Sequence, residues 1–191
     1  MTEVQRARVP RRLPRPIGAD TFARAVATAP ADLRLAMLLA GMAGLRRAEI
    51  TALRTSDLSL DATVPMVVVR GGKGGRDRAV PLHDVLVAEL RRTDLRREWL
   101  FESPLRAGEP IRPATLSSKV QRHMDAWGLE GRLHRMRHLF ATMVADVSNG
   151  DLLLLAELLG HSSTATTMGY AQLSGRKAAA AVQALPVPRI A

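Results

Sequence analysis

Three side chains that can hold an anion or move a proton stand together in LHRMRHLFAT: His134, Arg137 and His138. On an α-helix these positions share one face, beside an apolar stripe of Met136 and Phe140. Positive charge on a helix edge next to a core is costly unless something anionic lies against it. Taken alone, the segment reads first as a solvated basic face with a packed His138. His134 and His138 have the i, i+4 spacing of a zinc-binding helix, but the two arginines between them and the missing Glu disfavour a dication.

Two further residues have chemistry available to them. Lys73 stands between two glycine pairs in GGKGG. It is either a solvent-exposed turn lysine or a freely moving cation that reaches a phosphate or protonates a leaving group. Tyr170 is the one tyrosine of the chain. It is either a packing residue or a phenolic nucleophile, activated by nearby positive charge from residues such as Arg46, Arg137, His134 and His161. GGKGG lacks the Ser or Thr and the helix of a nucleotide-binding P-loop.

The elements that must position these groups follow from the pattern. The chain has 191 residues, 47% apolar, enough for one domain with a real core. It has no Cys, which excludes disulfides and Cys-based zinc sites. No apolar run is long enough to span a bilayer, and the Arg-bearing N-terminus lacks the apolar core of a secretory signal. A net charge of +10 favours a polyanionic partner, although an Arg-rich composition alone leaves that open. Six aromatics (three Phe, two Trp, one Tyr) argue against single-strand binding by base stacking.

Residues 1–18, with Arg11, Arg12 and Arg15 among prolines, read as an extended basic arm or linker. Asp20 is expected to cap a helix carrying Phe22 and Val26. A helix apolar on most sides follows from Asp32, then a short one from about Arg46 to Leu53. Val64–Arg70 and Arg76–Leu82 predict a β-hairpin around GGKGG. Helical spacing returns at Leu82–Leu90, at Leu116, Val120, Met124 and Trp127, and at Met136, Phe140, Met143 and Val147. Asp151–Leu159 predicts a helix stopped by Gly160, Ser162 or Ser163 a cap for the next, and Lys177–Leu185 a last helix. The fold class is mainly α with a small antiparallel β-sheet (α+β), with about one strand pair to seven or eight helices.

In this order, GLRRAEI (Gly44 to Ile50), GGKGGRDRAVPL (Gly71 to Leu82), LHRMRHLFAT and LLGHSSTATTMGY (Leu158 to Tyr170) resemble the catalytic domain of tyrosine recombinases, the phage-integrase and Xer-type branch. The resemblance runs from about Arg11 to Leu185. It implies a catalytic set of Arg46, Lys73, His134, Arg137, His161 and the nucleophile Tyr170, with Glu49 and His138 supporting. It further implies site-specific DNA cleavage and rejoining through a 3′-phosphotyrosine, with neither metal nor cofactor. Two arginines can grip the nonbridging phosphate oxygens, so chemistry without a metal is physically reasonable. Lys73 is then the candidate acid for the 5′-oxygen.

The expected partner is double-stranded DNA, met by Arg11, Arg12, Arg15, Lys119 and Arg122, with no membrane involved. The expected organisation is an arm or interdomain linker at 1–18, a catalytic domain at 19–174 and a tail helix at 175–191 tethered through Leu173–Arg176. Members of that family usually carry a further N-terminal DNA-gripping domain, so the expectation is an excised or truncated catalytic domain, with a naturally minimal recombinase as the alternative. Through the tail, the resemblance implies a homo-oligomer, a tetramer, on DNA, and the expectation in isolation is a monomer with the tail in cis or loose. The expected setting is cytoplasmic, in a bacterial cell or encoded by a phage. A non-catalytic DNA-binding module and a type IB topoisomerase-like activity are the alternatives.

Overall fold

The computed structural model describes residues 16–71, 77–160 and 171–188. Its elements, in chain order, are α1 (Ala19–Thr28), α2 (Ala31–Met42), α3 (Arg47–Thr51), a 3-10 turn, β1 (Leu58–Ser59), β2 (Met66–Val69), β3 (Arg78–Pro81), α4 (Asp84–Arg91), β4 (Glu102–Ser103), β5 (Arg106–Pro110), α5 (Pro113–Ala126), α6 (Leu133–Val147), α7 (Leu152–Leu159) and α8 (Ala171–Gln183). The molecule is mainly helical with small antiparallel sheets.

The run from Leu33 to Met42 is apolar on nearly every side because α2 is the central helix, with Leu35 to Met42 all buried. It packs on α1, α4, α5 and, most extensively, α6. Apolar stripes at helical spacing close the core from outside: Phe22 and Val26 of α1, Leu86 and Leu90 of α4, Leu116, Val120 and Met124 of α5, and Met136 and Phe140 of α6. The first sheet has the order β1-β2-β3. Val67 pairs with Val80 and Val69 with Arg78. Paired residues share a face, so Arg78 lies on the same side of the sheet as the buried valines.

Several expectations need correction. Gly18, not Asp20, occupies the cap position of α1, and Asp20 lies in its first turn. A third strand, β1, extends the hairpin, and β4 and β5 form a second sheet of mostly exposed residues. Trp127 follows α5 as a half-exposed cap residue instead of completing its buried stripe, and Val147 is likewise exposed. Between Leu173 and Arg176 the backbone is helical, part of α8. Ala178, Ala181, Val182 and Leu185 are buried, against β3, α6 and α7 of the same chain. The helix expected at Asp151–Leu159 is α7: Asp151 caps it through Leu154 N–H (2.9 Å), and Gly160 ends it, as expected, in the left-handed conformation.

Candidate active site

Local chain geometry brings the first group together. After α2 the chain turns at Gly44, whose φ is +66°. A side chain there would be strained and would overlap the Phe140 ring of α6. The turn delivers Arg46 to the cap position of α3. Glu49 lies three residues on, one helical turn away, and its carboxylate accepts the Arg46 backbone N–H (2.7 Å) and Nη1–H (2.8 Å). The Arg-x-x-Glu spacing thus closes a local charge pair at a helix start.

α6 brings the second. Arg137 is buried and donates from Nη1 to the Gly44 carbonyl and from Nη2 to the Leu159 carbonyl (2.8 Å), tying the ends of α2 and α7 to one guanidinium. Its Nη1 lies 3.9 Å from Glu49. Burial, reinforced by the Arg46 charge, lowers its pKa to about 10, so it stays charged at neutral pH at a cost the site bears. Among the described residues, two of its five N–H donors are bonded, both to carbonyls, and Glu49 lies beside Nη1. One turn apart on the same helix, His134 and His138 meet through their Nε2 atoms at 2.8 Å. Burial, His134 and Arg137 hold His138 below the ordinary imidazole range.

Arg78 is the residue that sequence reasoning left without a role. Its Nη1 and Nη2 take the two Glu49 oxygens at 2.9 and 2.8 Å, and its Nε donates to the Leu158 carbonyl at 3.0 Å. Burial alone would raise the Glu49 pKa, but bonds from Arg78 and Arg46 outweigh it and hold the group at about 2. Gly160 leaves room for this fork, since a Cβ there would lie 2.9 Å from Arg78 Nη1. The available signal was strand alternation, which puts Arg78 on the face of Val80.

Arg46, Glu49, His134, Arg137 and His138 therefore gather at one place. Lys73, His161 and Tyr170 lie outside the described residues, as do Arg11, Arg12, Arg15 and the cap expected at Ser162 or Ser163. β3 begins shortly after residues 72–76, and α7 ends just before residues 161–170. Lys119 and Arg122 sit apart from the cluster on α5. Lys119 pairs with Asp32 (3.3 Å) in the first turn of α2, about 15 Å of helix from the Gly44 end. Arg122 is exposed, while His123 is held at Thr28 Oγ1 (3.2 Å) and the Ala25 carbonyl (3.1 Å).

A mainly helical domain with this small sheet is the catalytic-domain fold of integrases. The integrase from mycobacterium phage Brujita superposes with a TM-score of 0.80 at 26% identity, over 98% of this chain and 64% of that one. Lambda integrase bound to DNA gives 0.62 at 26% identity, over 87% and 63%. The profile of the phage integrase family matches residues 19–176, and the chain belongs to that family. Among its relatives is the tyrosine recombinase XerA of Thermococcus kodakarensis, 33% identical over 175 residues, 87% of this chain and 61% of the relative. The chain thus spans about three-fifths of the length of such relatives. No helix among the described residues is long and apolar enough to cross a membrane.

Proposed function

We propose that this chain is the catalytic domain of a site-specific tyrosine recombinase acting on double-stranded DNA. The observation that carries the reading is the state of its cations. Arg137 is buried and held by backbone carbonyls, and three guanidinium groups share the single Glu49 carboxylate. Such a cluster leaves positive charge for an anion to satisfy. A phosphodiester that gains charge in its transition state is an anion of the right kind, and a relative solved on DNA supports the class.

The reaction assigned to the site balances without a cofactor. The Tyr170 oxygen attacks phosphorus, the bond to the 5′-oxygen breaks, and a 3′-phosphotyrosine forms. The phenolic proton passes to a base, for which His134 and His161 are the candidates, and Lys73 protonates the departing 5′-oxygen. Arg46 and Arg137 hold the nonbridging oxygens throughout. Attack by another strand's 5′-hydroxyl reverses each step, so no external energy is required. The domain scheme of arm, catalytic domain at 19–174 and tail belongs to this reading, as does assembly of four copies on DNA and a cytoplasmic setting.

A duplex nicked close to a cleavage site traps the intermediate, because the short released strand diffuses away. The chain is expected to form a covalent adduct with such a substrate, and Tyr170→Phe to form none while still binding. Equal non-covalent binding with no adduct from either protein would make this a DNA-binding module.

A further inference from the structure

The geometry points to Arg78 as a positioning residue of this site: its guanidinium shares both Glu49 oxygens, so that the carboxylate does not fully neutralise Arg46 and Arg137, and it fastens the strand after the hairpin to the end of α7. The inference rests on the functional reading above and extends it to a residue that touches neither substrate nor reacting atoms.

Electrostatically, the cations of the site share one carboxylate. Glu49 is the only carboxylate bonded to Arg46 and Arg137 among the described residues, and both its oxygens are taken by Arg78 at 2.9 and 2.8 Å. Arg78 and Glu49 side chains are each 8% exposed, whereas Arg46 is 29% exposed. Arg78 is thus the inward counter-ion and Arg46 the outward one. Without Arg78, a buried carboxylate would be left to two cations, and its charge would cancel the field they offer an anion.

Mechanically, Arg78 is a connector. Arg78 lies two residues beyond segment 72–76, which contains Lys73, and its Nε holds the Leu158 carbonyl (3.0 Å), three residues before His161. Arg137 holds the next carbonyl, that of Leu159. The Arg78 fork therefore joins β3 and the end of α7, the two described points from which the segments bearing Lys73, His161 and Tyr170 depart. A lysine could supply the charge but not this three-bond fork.

The test compares Arg78→Gln, Arg78→Lys, Glu49→Gln and the double variant Arg78→Gln/Glu49→Gln, all in the full chain, with thermal melts confirming folding. The first readout is the single-turnover rate of adduct formation on the nicked duplex. The second is the affinity of inorganic phosphate, followed by NMR of the Arg46 and Arg137 guanidinium groups. Arg78→Gln is expected to slow adduct formation by about 100-fold, as misplacement of a catalytic array does. It should weaken phosphate binding by about tenfold, the effect of one unmasked charge.

Adding Glu49→Gln should restore the phosphate affinity but not the full rate, a rescue that a purely structural role for Arg78 would not produce. Arg78→Lys should keep the affinity and lose rate. If Arg78→Gln does not fold, the lysine variant, which keeps the charge, and the double variant, which leaves no buried carboxylate short of a partner, carry both readouts. A folded Arg78→Gln with parental rate and affinity would overturn the proposal. So would a double variant whose phosphate affinity stays at or below that of Arg78→Gln or, where that protein does not fold, below the parent, or a lysine variant with parental rate. Absence of adduct from the parent chain would instead refute the recombinase reading, and the phosphate titration would still decide the role of Arg78.

Discussion

Arg46 and Arg137 carry the same charge toward the same place but are held differently, and the difference is measurable. Arg46 is partly exposed and bound to its own helix's Glu49, while Arg137 is buried against two backbone carbonyls. Arg46→Ala should cut single-turnover cleavage by about 10²–10³-fold, the usual effect of removing one such donor. Its stability should change by only about 0.5 kcal/mol. Arg137→Ala should lose activity and stability together, at about 1–3 kcal/mol for each carbonyl left unsatisfied, read from denaturant melts.

Among the described residues, His138 and Glu49 at the site shape the pH response, and His83, also lowered by burial, acts in the same window as His138. His138 stays neutral in the fold below its ordinary 6.5, so as pH falls the unfolded chain takes the proton first. Stability is therefore full above about pH 6.5 and falls as pH drops through the lowered value. Glu49 works further down: its contribution is present above the ordinary 4.5 and is lost as pH falls toward about 2. His138→Gln should lessen the fall of stability in the upper part of the curve, leaving the share of His83 and the lower part in place.

At the scale of elements, what was legible in the sequence was what is local. The Arg46–Glu49 pair is one helical turn long, and the His134, Arg137, His138 face follows from helix period alone. The stop at Gly160 is likewise written in adjacent residues. Arg78 was not legible as a site residue because its partner is 29 positions away and its burial depends on sheet packing. β4 and β5 escaped because RAGEP is exposed at nearly every position and shows no alternation. Trp127 fitted the α5 stripe by spacing, yet the helix ends one residue before it.

Gly44→Ala should destabilise by more than the roughly 1–2 kcal/mol of left-handed backbone strain, because the new methyl also meets Phe140. It should displace Arg46 and lower cleavage as well. Deleting the chain after Ser174, harmless if the tail were a loose tether, should instead expose the partners of Val182 and Leu185 and lower the melting temperature. Differential scanning fluorimetry of both variants beside the parent distinguishes these outcomes.

For the molecule as a whole, the charge of +10 frames how it meets DNA. Phosphate contacts each contribute a slope of about −0.9 to log affinity against log salt, so a slope of about −3 or steeper is expected for duplex binding by this chain. With α8 packed on its own α6, α7 and β3, the free chain is expected to be monomeric, with larger species appearing in mass photometry when duplex is added. The central claim, that these cations serve a tyrosine which breaks and stores a phosphodiester, is tested most directly by digesting the trapped protein–DNA adduct and sequencing the linked peptide by mass spectrometry. A single linkage is expected, at Tyr170, to a 3′-phosphate, with a free 5′-hydroxyl on the released strand. Linkage to a 5′-phosphate, or through any other residue, would contradict it.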